Sequence, residues 1–524
     1  MPKEPTHEND AITAKVVSRR EALHWALGGA MVTLSGCSMP NIMKPRPTCL
    51  EVQSTDGLII DMHCHLMNRK DVNLKTFVDR RVINSDESIW KVLVTYFPTW
   101  LIEPLAEGWA MTSTEELEWI SQYLTELQTG AQHFCDLAIG AQKGWVFASK
   151  DPQWMFASKN IQGQGMLRNR TRNAARMIEL FPSVDLFTPS MVDLYEGPTK
   201  NTSKLIELVR YYKQLHIASQ GRFIPLVSFS PERAYWERNN PENSDYKRPF
   251  SLVQYCIEEL GFIGVKVHPS SGFAPVNNMR HACPNTFMQI EPDKRRWKDE
   301  REFYDKEMER LFQYCSSVDV PILTHNSTGI DANEKCMHRF DNQLEWTNSP
   351  VQWGAAIRNW KIRVCLAHFA DGFDKEAEPK AWLAYVLAHL ESLPGMYLDI
   401  SHPDDMLNPD GNSIRPEMRT AFVDLLRRHP VVGKRLMYGS DWHMPEVAEL
   451  GERYYAIMND LIPSENKRRV MGMTAVEFFG LERGRQTRER LEKFYKSNSV
   501  PLEKVPWLRK LTRIEQDLTQ GVSR

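Results

Sequence analysis

Histidines and an aspartate stand where short apolar segments of the chain end. The first segment ends Asp-Met-His-Cys-His, and the period of a strand places His63 and His65 on the same face. The fifth and sixth segments end at His325 and His368, and the eighth continues into Asp441. Imidazole and carboxylate groups are ligands of zinc and similar divalent ions. The pattern therefore predicts a metal site.

Eight apolar, β-branched segments position these residues, and most are followed by a helical pattern. Repeated strand-helix units predict an α/β fold, a (β/α)8 TIM barrel with its reactive groups at the carboxyl ends of the strands. The long gap after the first segment predicts a large helical insertion at about 67–180, and 269–318 and 326–360 predict further insertions over the same face. The eight segments are 57–62, 184–192, 224–229, 262–267, 320–324, 363–367, 396–400 and 435–438.

Composition excludes several classes of protein. The chain has 524 residues with a net charge of -2, and no basic stripe with interleaved aromatics, so no nucleic-acid partner is expected. Its 9 cysteines form no Cys-x-x-Cys pair, which argues against a zinc ribbon or a disulfide framework. The hydrophobic fraction of 42% is that of an ordinary globular protein.

The N-terminal segment predicts an export address rather than part of the fold. Arg19 and Arg20 precede an apolar stretch too short to span a membrane. The segment resembles a twin-arginine signal, with Ala22 where that pattern usually has Phe, and Leu-Ser-Gly-Cys at Cys37 resembles a lipidation site. The resemblance implies a periplasmic lipoprotein of the bacterial cell envelope. A buried N-terminal helix with a chance Leu-Ser-Gly-Cys is the alternative.

The predicted domain boundaries follow from these patterns. Residues 1–36 form the signal peptide, and residues 37–55 form the lipid-anchor cysteine and linker. The barrel with its insertion occupies 56–485, and a peripheral helical tail occupies 486–524.

The motifs at the strand ends resemble the amidohydrolase superfamily, in particular its amidohydrolase-related branch of metal-dependent TIM-barrel hydrolases. The matching motifs are Asp-Met-His-Cys-His, Gly-Phe-Ile-Gly-Val-Lys-Val-His-Pro, Pro-Ile-Leu-Thr-His-Asn, Leu-Ala-His-Phe and Tyr-Gly-Ser-Asp-Trp. The resemblance implies that a divalent metal, usually zinc, is bound by His63, His65, His325 and Asp441. It implies that His368 is either a further ligand or an acid-base and carbonyl-polarising group. Asp441 would accept the proton of the attacking water and pass it to the leaving group.

Lys266 has three interpretations. It points into the barrel on the fourth strand, and a buried lysine is costly without a partner. In superfamily members with two metals a carbamylated lysine on this strand bridges the ions, so one ion is expected here and two if Lys266 is carbamylated. Lys266 could instead pair with a carboxylate or anchor the substrate, or it could be purely structural.

Other polar residues lie beside the strand ends. Substrate contact is open for His268, His402 and His443, although an ordinary loop or supporting role is the favoured interpretation of each position alone. Asn326, beside His325, and Asp193 are weaker candidates, and Asn326 is kept with His268 and His443 as a possible substrate contact.

Three functions remain open from the sequence. The first is metal-dependent hydrolysis of a C–N or C–O bond (amide, lactam, lactone or ester) in a small molecule, by a metal-activated water. The second is non-oxidative decarboxylation of an aromatic or unsaturated acid, and the third is a non-catalytic, lipid-anchored binding or scaffold protein. The expected partners are a small-molecule substrate and a membrane reached only through the lipid, and a homodimer is allowed.

Overall fold

In the part of the chain that it describes, a computed structural model shows eight short parallel strands, each overlapping one of the predicted segments. The strands are β1 Ile60–Cys64, β2 Leu186–Pro189, β3 Leu226–Phe229, β4 Gly264–Val267, β5 Ile322–Thr324, β6 Val364–Leu366, β7 Met396–Asp399 and β8 Leu436–Met437. The strands are buried on both faces, which explains why their sequences are continuous apolar segments rather than alternating ones.

The strands close into a barrel. β3 to β8 pair in chain order, and β1 pairs with β2. Parallel bridges from Phe187 to Phe223 and from Ser190 to Leu226 join β2 to the β3 segment. At the other seam the Met62 amide donates to the Tyr438 carbonyl at 3.0 Å. The predicted TIM-barrel fold is therefore confirmed.

The structure describes a large part of the chain, in these ranges: 57–68, 70–71, 111–128, 134, 169–193, 204–240, 249–281, 294–328, 342–403, 406–408, 413–442, 450–451 and 453–519. The predicted signal peptide and linker, 1–55, lie outside these ranges. In the ranges given, no helix combines the length and apolar character needed to cross a bilayer.

Helices follow the strands and cover the outside of the barrel. Their bounds are Ser113–Gln128, Arg170–Leu180, Leu205–Ala218, Pro231–Asn239, Pro249–Glu259, Asn278–His281, Lys294–Ser317, Pro350–Trp360, Ala381–His389, Pro416–Arg428, Pro430–Arg435, Arg453–Leu461, Ser464–Arg468, Thr474–Phe479, Gln486–Ser497 and Pro506–Thr519, with a π-helical turn at Arg469–Met473.

The described part of the first insertion is tied to the chain beyond β1 by a buried arginine. The Arg170 guanidinium donates twice to the Asp71 carboxylate, at 2.9 and 2.5 Å, and once to Glu116 on the helix Ser113–Gln128. A buried arginine needs such carboxylate partners because an isolated charge is costly to bury. The remainder of 67–180 lies outside the described residues.

The two C-terminal helices, Gln486–Ser497 and Pro506–Thr519, pack against the end of the barrel where the strands begin, so the expected peripheral position is wrong for these two helices. Phe494 and Trp507 belong to the same apolar cluster as Ile60 and Leu323, which lie on strands of the barrel. The Lys510 ammonium also donates to the Asp185 carboxylate just before β2, at 2.9 Å. The tail is part of the core because it covers apolar surface at the amino ends of the strands.

This packing predicts unequal effects for two substitutions on the helix Pro506–Thr519. Trp507 is fully buried, so Trp507→Ala should lower the free energy of unfolding by about 3–5 kcal/mol through lost burial and a cavity. Leu518 is 61% exposed, so Leu518→Ala is the matched control and should change stability little. Urea unfolding followed by far-UV circular dichroism measures both, and equal effects would contradict the assigned packing.

Candidate metal centre

β1 brings two histidines to the carboxyl end of the barrel. The Nδ1 atom of His65 lies 2.9 Å from the Ser190 carbonyl oxygen, so it carries the ring proton and donates it. The other nitrogen, Nε2, faces Asp441 with its Oδ1 atom 3.2 Å away. His63 is fully buried, and its Nε2 lies 3.7 Å from the same oxygen. Two imidazoles and one carboxylate therefore converge.

Asp441 reaches this position through unusual backbone geometry beyond β8. Its φ angle is +48°, in the left-handed region that is uncommon for residues other than glycine. The Asp441 amide donates to the His63 carbonyl at 2.7 Å, which holds the turn against β1. Burial alone would raise the pKa of Asp441, but its contacts with His65 and the other nearby histidines keep it well below its usual value. Asp441 is therefore an ionised carboxylate among imidazoles.

His325 and His368 form a second pair beside the first group. The Nε2 atom of His368 lies 3.1 Å from Nδ1 of His325. In the part of the chain that the structure describes, His325 Nε2 is buried without a hydrogen-bond partner. The donor atoms of His63, His65 and Asp441 lie within 4.8 Å of one another, and His325 does not belong to that group. The role of His325 as a ligand stays a prediction.

The backbone that carries His368 is left-handed over several residues. Residues 368–372 all have positive φ angles, between 50° and 70°, and only the last of them is glycine. Left-handed backbone costs roughly 1–2 kcal/mol for each non-glycine residue. The Asp371 carboxylate accepts from the amide and hydroxyl of Thr328, at 3.1 and 2.6 Å, and so holds the turn. Strain of this kind is retained where a side chain must be placed for function.

Lys266 points into the barrel from β4 and reaches the same group. Its ammonium nitrogen lies 2.9 Å from Nε2 of His63. Burial lowers the pKa of Lys266 to about 8, and the carboxylates of Asp441 and Asp399 partly offset that effect. The lysine therefore faces the candidate centre as a cation next to ionised carboxylates. Its carbamylation and its substrate contact stay predictions.

The remaining candidates occupy different surroundings. The ring of His268 stacks on that of His325, with centroids 5.4 Å apart. Asn326 donates from its side chain to the Asn348 carbonyl at 2.6 Å, so it supports the loop after β5. The Asp193 carboxylate accepts twice from the Arg233 guanidinium at 2.6 Å. His443 and Cys37 lie outside the described residues.

Two polar residues at the end of β7 were missed by the sequence reasoning. The Asp399 carboxylate is fully buried and lies 3.1 Å from Nδ1 of His63. Ser401 places its hydroxyl oxygen 3.0 Å from the same nitrogen and 3.2 Å from Nδ1 of His368. Burial alone would raise the pKa of Asp399, but its contacts with these histidines and Ser401 hold it below its usual value. The available signal was an acidic residue ending an apolar strand, as at Asp441.

The donor set suits a divalent metal. Two imidazoles and a carboxylate at one point are the ligand types found at catalytic zinc sites, and manganese or a similar ion accepts them too. In the neutral ring of His65, Nε2 is the nitrogen with a free lone pair, because Nδ1 donates to a carbonyl. Asp441 supplies a negative charge and His325 Nε2 an unused buried nitrogen nearby. The residues present therefore fit a metal ion.

The fold and these residues define a TIM-barrel protein with a His-His-Asp group at the barrel mouth. Residues 251–481 match the family model described as Amidohydrolase. That stretch contains β4 to β8, with His325, His368 and Asp441, whereas His63 and His65 precede it. No curated protein sequence matches the chain significantly.

Several solved structures are similar to the chain at low sequence identity. A 5-carboxyvanillate decarboxylase from Novosphingobium aromaticivorans, complexed with manganese, is 12% identical with a TM-score of 0.38, over 82% of this chain and 99% of that one. An amidohydrolase from Burkholderia multivorans with bound zinc is 13% identical with a TM-score of 0.33, over 59% and 87%. A 4-oxalomesaconate hydratase from Rhodopseudomonas palustris is 10% identical with a TM-score of 0.35, over 84% and 99%.

A buried carboxyl group lies beyond β3, outside the metal centre. Glu232 is in the first turn of the helix Pro231–Asn239 and is only 3% exposed. Burial raises its pKa to about 8, and the Ser271 hydroxyl and the Arg301 guanidinium offset part of that effect. At neutral pH the folded protein therefore holds Glu232 mostly protonated.

Glu232→Gln should stabilise the protein in a pH-dependent way. The pKa of Glu232 rises from 4.5 to about 8 on folding, so its contribution to stability falls as pH rises between these values. Glutamine mimics the protonated acid, so the variant should gain on the order of 1–3 kcal/mol over the native chain between pH 5 and pH 8. Urea unfolding at both pH values measures this gain. Glu259→Gln, at an exposed position, is the control, and a pH-independent difference for Glu232→Gln would contradict the assignment.

Proposed function

We propose that this protein is a metal-dependent hydrolase of the amidohydrolase superfamily that cleaves a C–N or C–O bond in a small molecule. The observation that carries the proposal is the convergence of His63, His65 and Asp441 within 4.8 Å at the carboxyl end of a TIM barrel. The match of residues 251–481 to the Amidohydrolase family model supports it. An amide, lactam, lactone or ester would be the substrate.

The roles of the residues follow from their positions. His63, His65 and Asp441 would hold the ion, and the buried Nε2 atom of His325 is a candidate for a further ligand. A divalent ion held there would supply Lewis-acid chemistry, lowering the pKa of a water molecule and polarising the electrophile. Asp441 is ionised and can accept a proton from the attacking water. His368 lies beside His63, with ring centroids 5.2 Å apart, and once it has gained a second proton it can pass that proton to the leaving group.

Zinc is the favoured ion on donor chemistry, since imidazole and carboxylate ligands suit it. The decarboxylase similar to this chain is complexed with manganese and the similar amidohydrolase has bound zinc. We propose one ion per chain, because Lys266 contacts His63 as a hydrogen-bond donor rather than as part of a second ligand group.

Decarboxylation is the second candidate, and Lys266 favours it. Its ammonium is buried beside the proposed ion, where a cation can hold the carboxylate of an acid substrate. A proton delivered by a group such as His368 in its protonated form would then take the place of the lost carboxyl group on the substrate carbon. The similar solved structures include a 5-carboxyvanillate decarboxylase.

We also propose that the enzyme acts in the bacterial cell envelope as a lipid-anchored periplasmic protein. This proposal depends on the resemblance of the segment around Arg19, Arg20 and Cys37 to a twin-arginine lipoprotein signal. Radiolabelled palmitate incorporation that is lost in Cys37→Ala tests it.

Metal analysis of the full chain, purified without chelator, tests the centre directly. The unmodified chain should contain about one zinc-like ion. Removal of a residue that hydrogen-bonds to a metal ligand typically lowers metal affinity roughly 10–100-fold, and His65→Ala and Asp441→Ala should lower it far more because they remove a ligand. His389→Ala is the control, because His389 lies on an outer helix beside Tyr385. Elemental analysis and chelator competition measure both. Absence of metal after reconstitution, or equal loss in His389→Ala, would overturn the proposal.

The two candidate reactions predict different products and a different effect of Lys266→Met. Decarboxylation releases carbon dioxide from acid substrates, and loss of the anchoring cation should raise KM by about 10–100-fold, as expected for a lost charged hydrogen bond. Hydrolysis of esters, lactones or amides yields a new carboxylic acid, and uncharged substrates should show a smaller rise in KM. A panel of both substrate types, assayed for carbon dioxide and for acid, separates the reactions. Turnover of neither type would argue against both.

A further inference from the structure

A buried carboxylate at the end of β7 is connected to three of the site histidines. The Oδ1 atom of Asp399 accepts from the backbone amides of His368 and Ser401, at 3.2 and 3.0 Å, and from the Ser401 hydroxyl. Its Oδ2 atom lies 3.1 Å from Nδ1 of His63 and 3.6 Å from the Cys365 sulfur. Both oxygens therefore act as acceptors, and the His63 Nδ1 atom that faces Oδ2 must be a donor.

The Ser401 hydroxyl also fixes which nitrogen of a second histidine, His368, is the hydrogen-bond donor. A hydroxyl has one proton to donate, and that of Ser401 goes to Asp399 Oδ1. The hydroxyl oxygen can then only accept from its other neighbours, which are Nδ1 of His63 at 3.0 Å and Nδ1 of His368 at 3.2 Å. The carbonyl oxygen of Ser401, 3.3 Å from the same His368 nitrogen, is likewise an acceptor. Nδ1 of His368 therefore carries the proton too.

The tautomer of His368 determines that of a third histidine, His325. Since Nδ1 of His368 is protonated, Nε2 of this neutral ring is an acceptor, and it lies 3.1 Å from Nδ1 of His325. His325 must then donate from Nδ1, which leaves its Nε2 without a proton. That Nε2 is the buried atom with no partner among the described residues, so the chain of hydrogen bonds ends on a free lone pair.

Lys266 provides an independent check on the first histidine. An ammonium group only donates, and that of Lys266 lies 2.9 Å from Nε2 of His63. Nε2 must therefore be the acceptor, as the contact with Asp399 on the other side of the ring also requires. The opposite tautomer would set two donors against each other at Lys266 and two acceptors against each other at Asp399.

We infer that Asp399 is a positioning residue that sets one tautomer in three histidines, directly in His63 and through Ser401 in His368 and His325. In each ring Nδ1 carries the proton and Nε2 is the free base. For His63 and His325, the consequence is a nitrogen ready to bind a cation without first losing a proton. This consequence rests on the proposed metal centre, whereas the tautomers themselves do not.

The tautomers can be read directly by NMR on the metal-free full chain containing ¹⁵N-labelled histidine. Signals of His63 and His368 are assigned by their loss in His63→Gln and His368→Gln. In the unmodified chain both rings should be protonated at Nδ1. In Asp399→Asn the amide can donate to His63 in competition with the Lys266 ammonium on the other side of the ring, so the fraction of His63 protonated at Nδ1 should fall. Ser401→Ala should alter the His368 signal while His63, still bonded to Asp399, keeps its own.

The control for the chemical change is Asp424→Asn, on the exposed face of the helix Pro416–Arg428, which should alter neither ring. Circular dichroism establishes that each variant is folded, and Ser401→Ala keeps the test decisive if Asp399→Asn does not fold. Protonation at Nε2 of His63 in the unmodified chain, or unchanged tautomers in both variants, would overturn the inference.

Metal affinity then separates this inference from the proposed function. Chelator competition should show about a 10–100-fold loss of zinc affinity in Asp399→Asn, as found when a group that orients a histidine ligand is removed. Unchanged zinc affinity in a folded Asp399→Asn would overturn the positioning role. If the unmodified chain binds no metal, the proposed function fails, while the tautomers still decide the inference.

Discussion

The closure of the barrel between β8 and β1 is the constraint on which both the fold and the site depend. Across this seam the Met62 amide donates to Tyr438, the Asp441 amide donates to His63, and the His65 amide donates to Trp442, at 2.7 to 3.1 Å. These backbone bonds bring the Asp441 carboxylate to two imidazoles that are distant in sequence. Closing the barrel and assembling the candidate ligands are therefore one structural event, and a register error at this seam would separate the ligands.

The same seam concentrates polar groups that are costly to bury. Asp61 is fully buried there, and burial raises its pKa to about 7, even though its carboxylate accepts from the Ser440 and His63 amides. The left-handed residues 368–372 add backbone strain. The apolar core that joins the strands to the C-terminal helices offsets these costs, which is why the tail is integral rather than peripheral. Apolar contacts at the amino ends of the strands stabilise the fold, and the buried polar groups and strained backbone at the carboxyl ends reduce that stability.

Sequence periodicity located the barrel because each strand is a short apolar segment that ends in a polar residue. His63, His65 and Asp441 were predictable as neighbours because the fold brings all strand ends to one rim. The positions of His325 and His368 relative to that group depend on a left-handed turn that no periodicity encodes. Asp399 and Ser401 were missed because their partners are other side chains across the barrel. The buried position of the two C-terminal helices was missed because their sequence is rich in charged residues, which are typical of exposed helices, although Trp507 is fully buried.

His63 connects Lys266 with the proposed metal centre, because both the Lys266 ammonium and a bound ion would need the single lone pair on its Nε2 atom. In the present arrangement the Lys266 ammonium donates to that lone pair at 2.9 Å. Coordination of a metal by the same atom would require this hydrogen bond to break, since one lone pair cannot serve both. The freed ammonium would then need another acceptor, because a buried cation without a partner is costly. Asp441 and Asp399 already stabilise the lysine electrostatically, but Asp399 is fully engaged with His63, His368 and Ser401. A substrate anion would meet the same need, so under the proposed function metal binding and the binding of an anionic ligand would be coupled through one nitrogen atom.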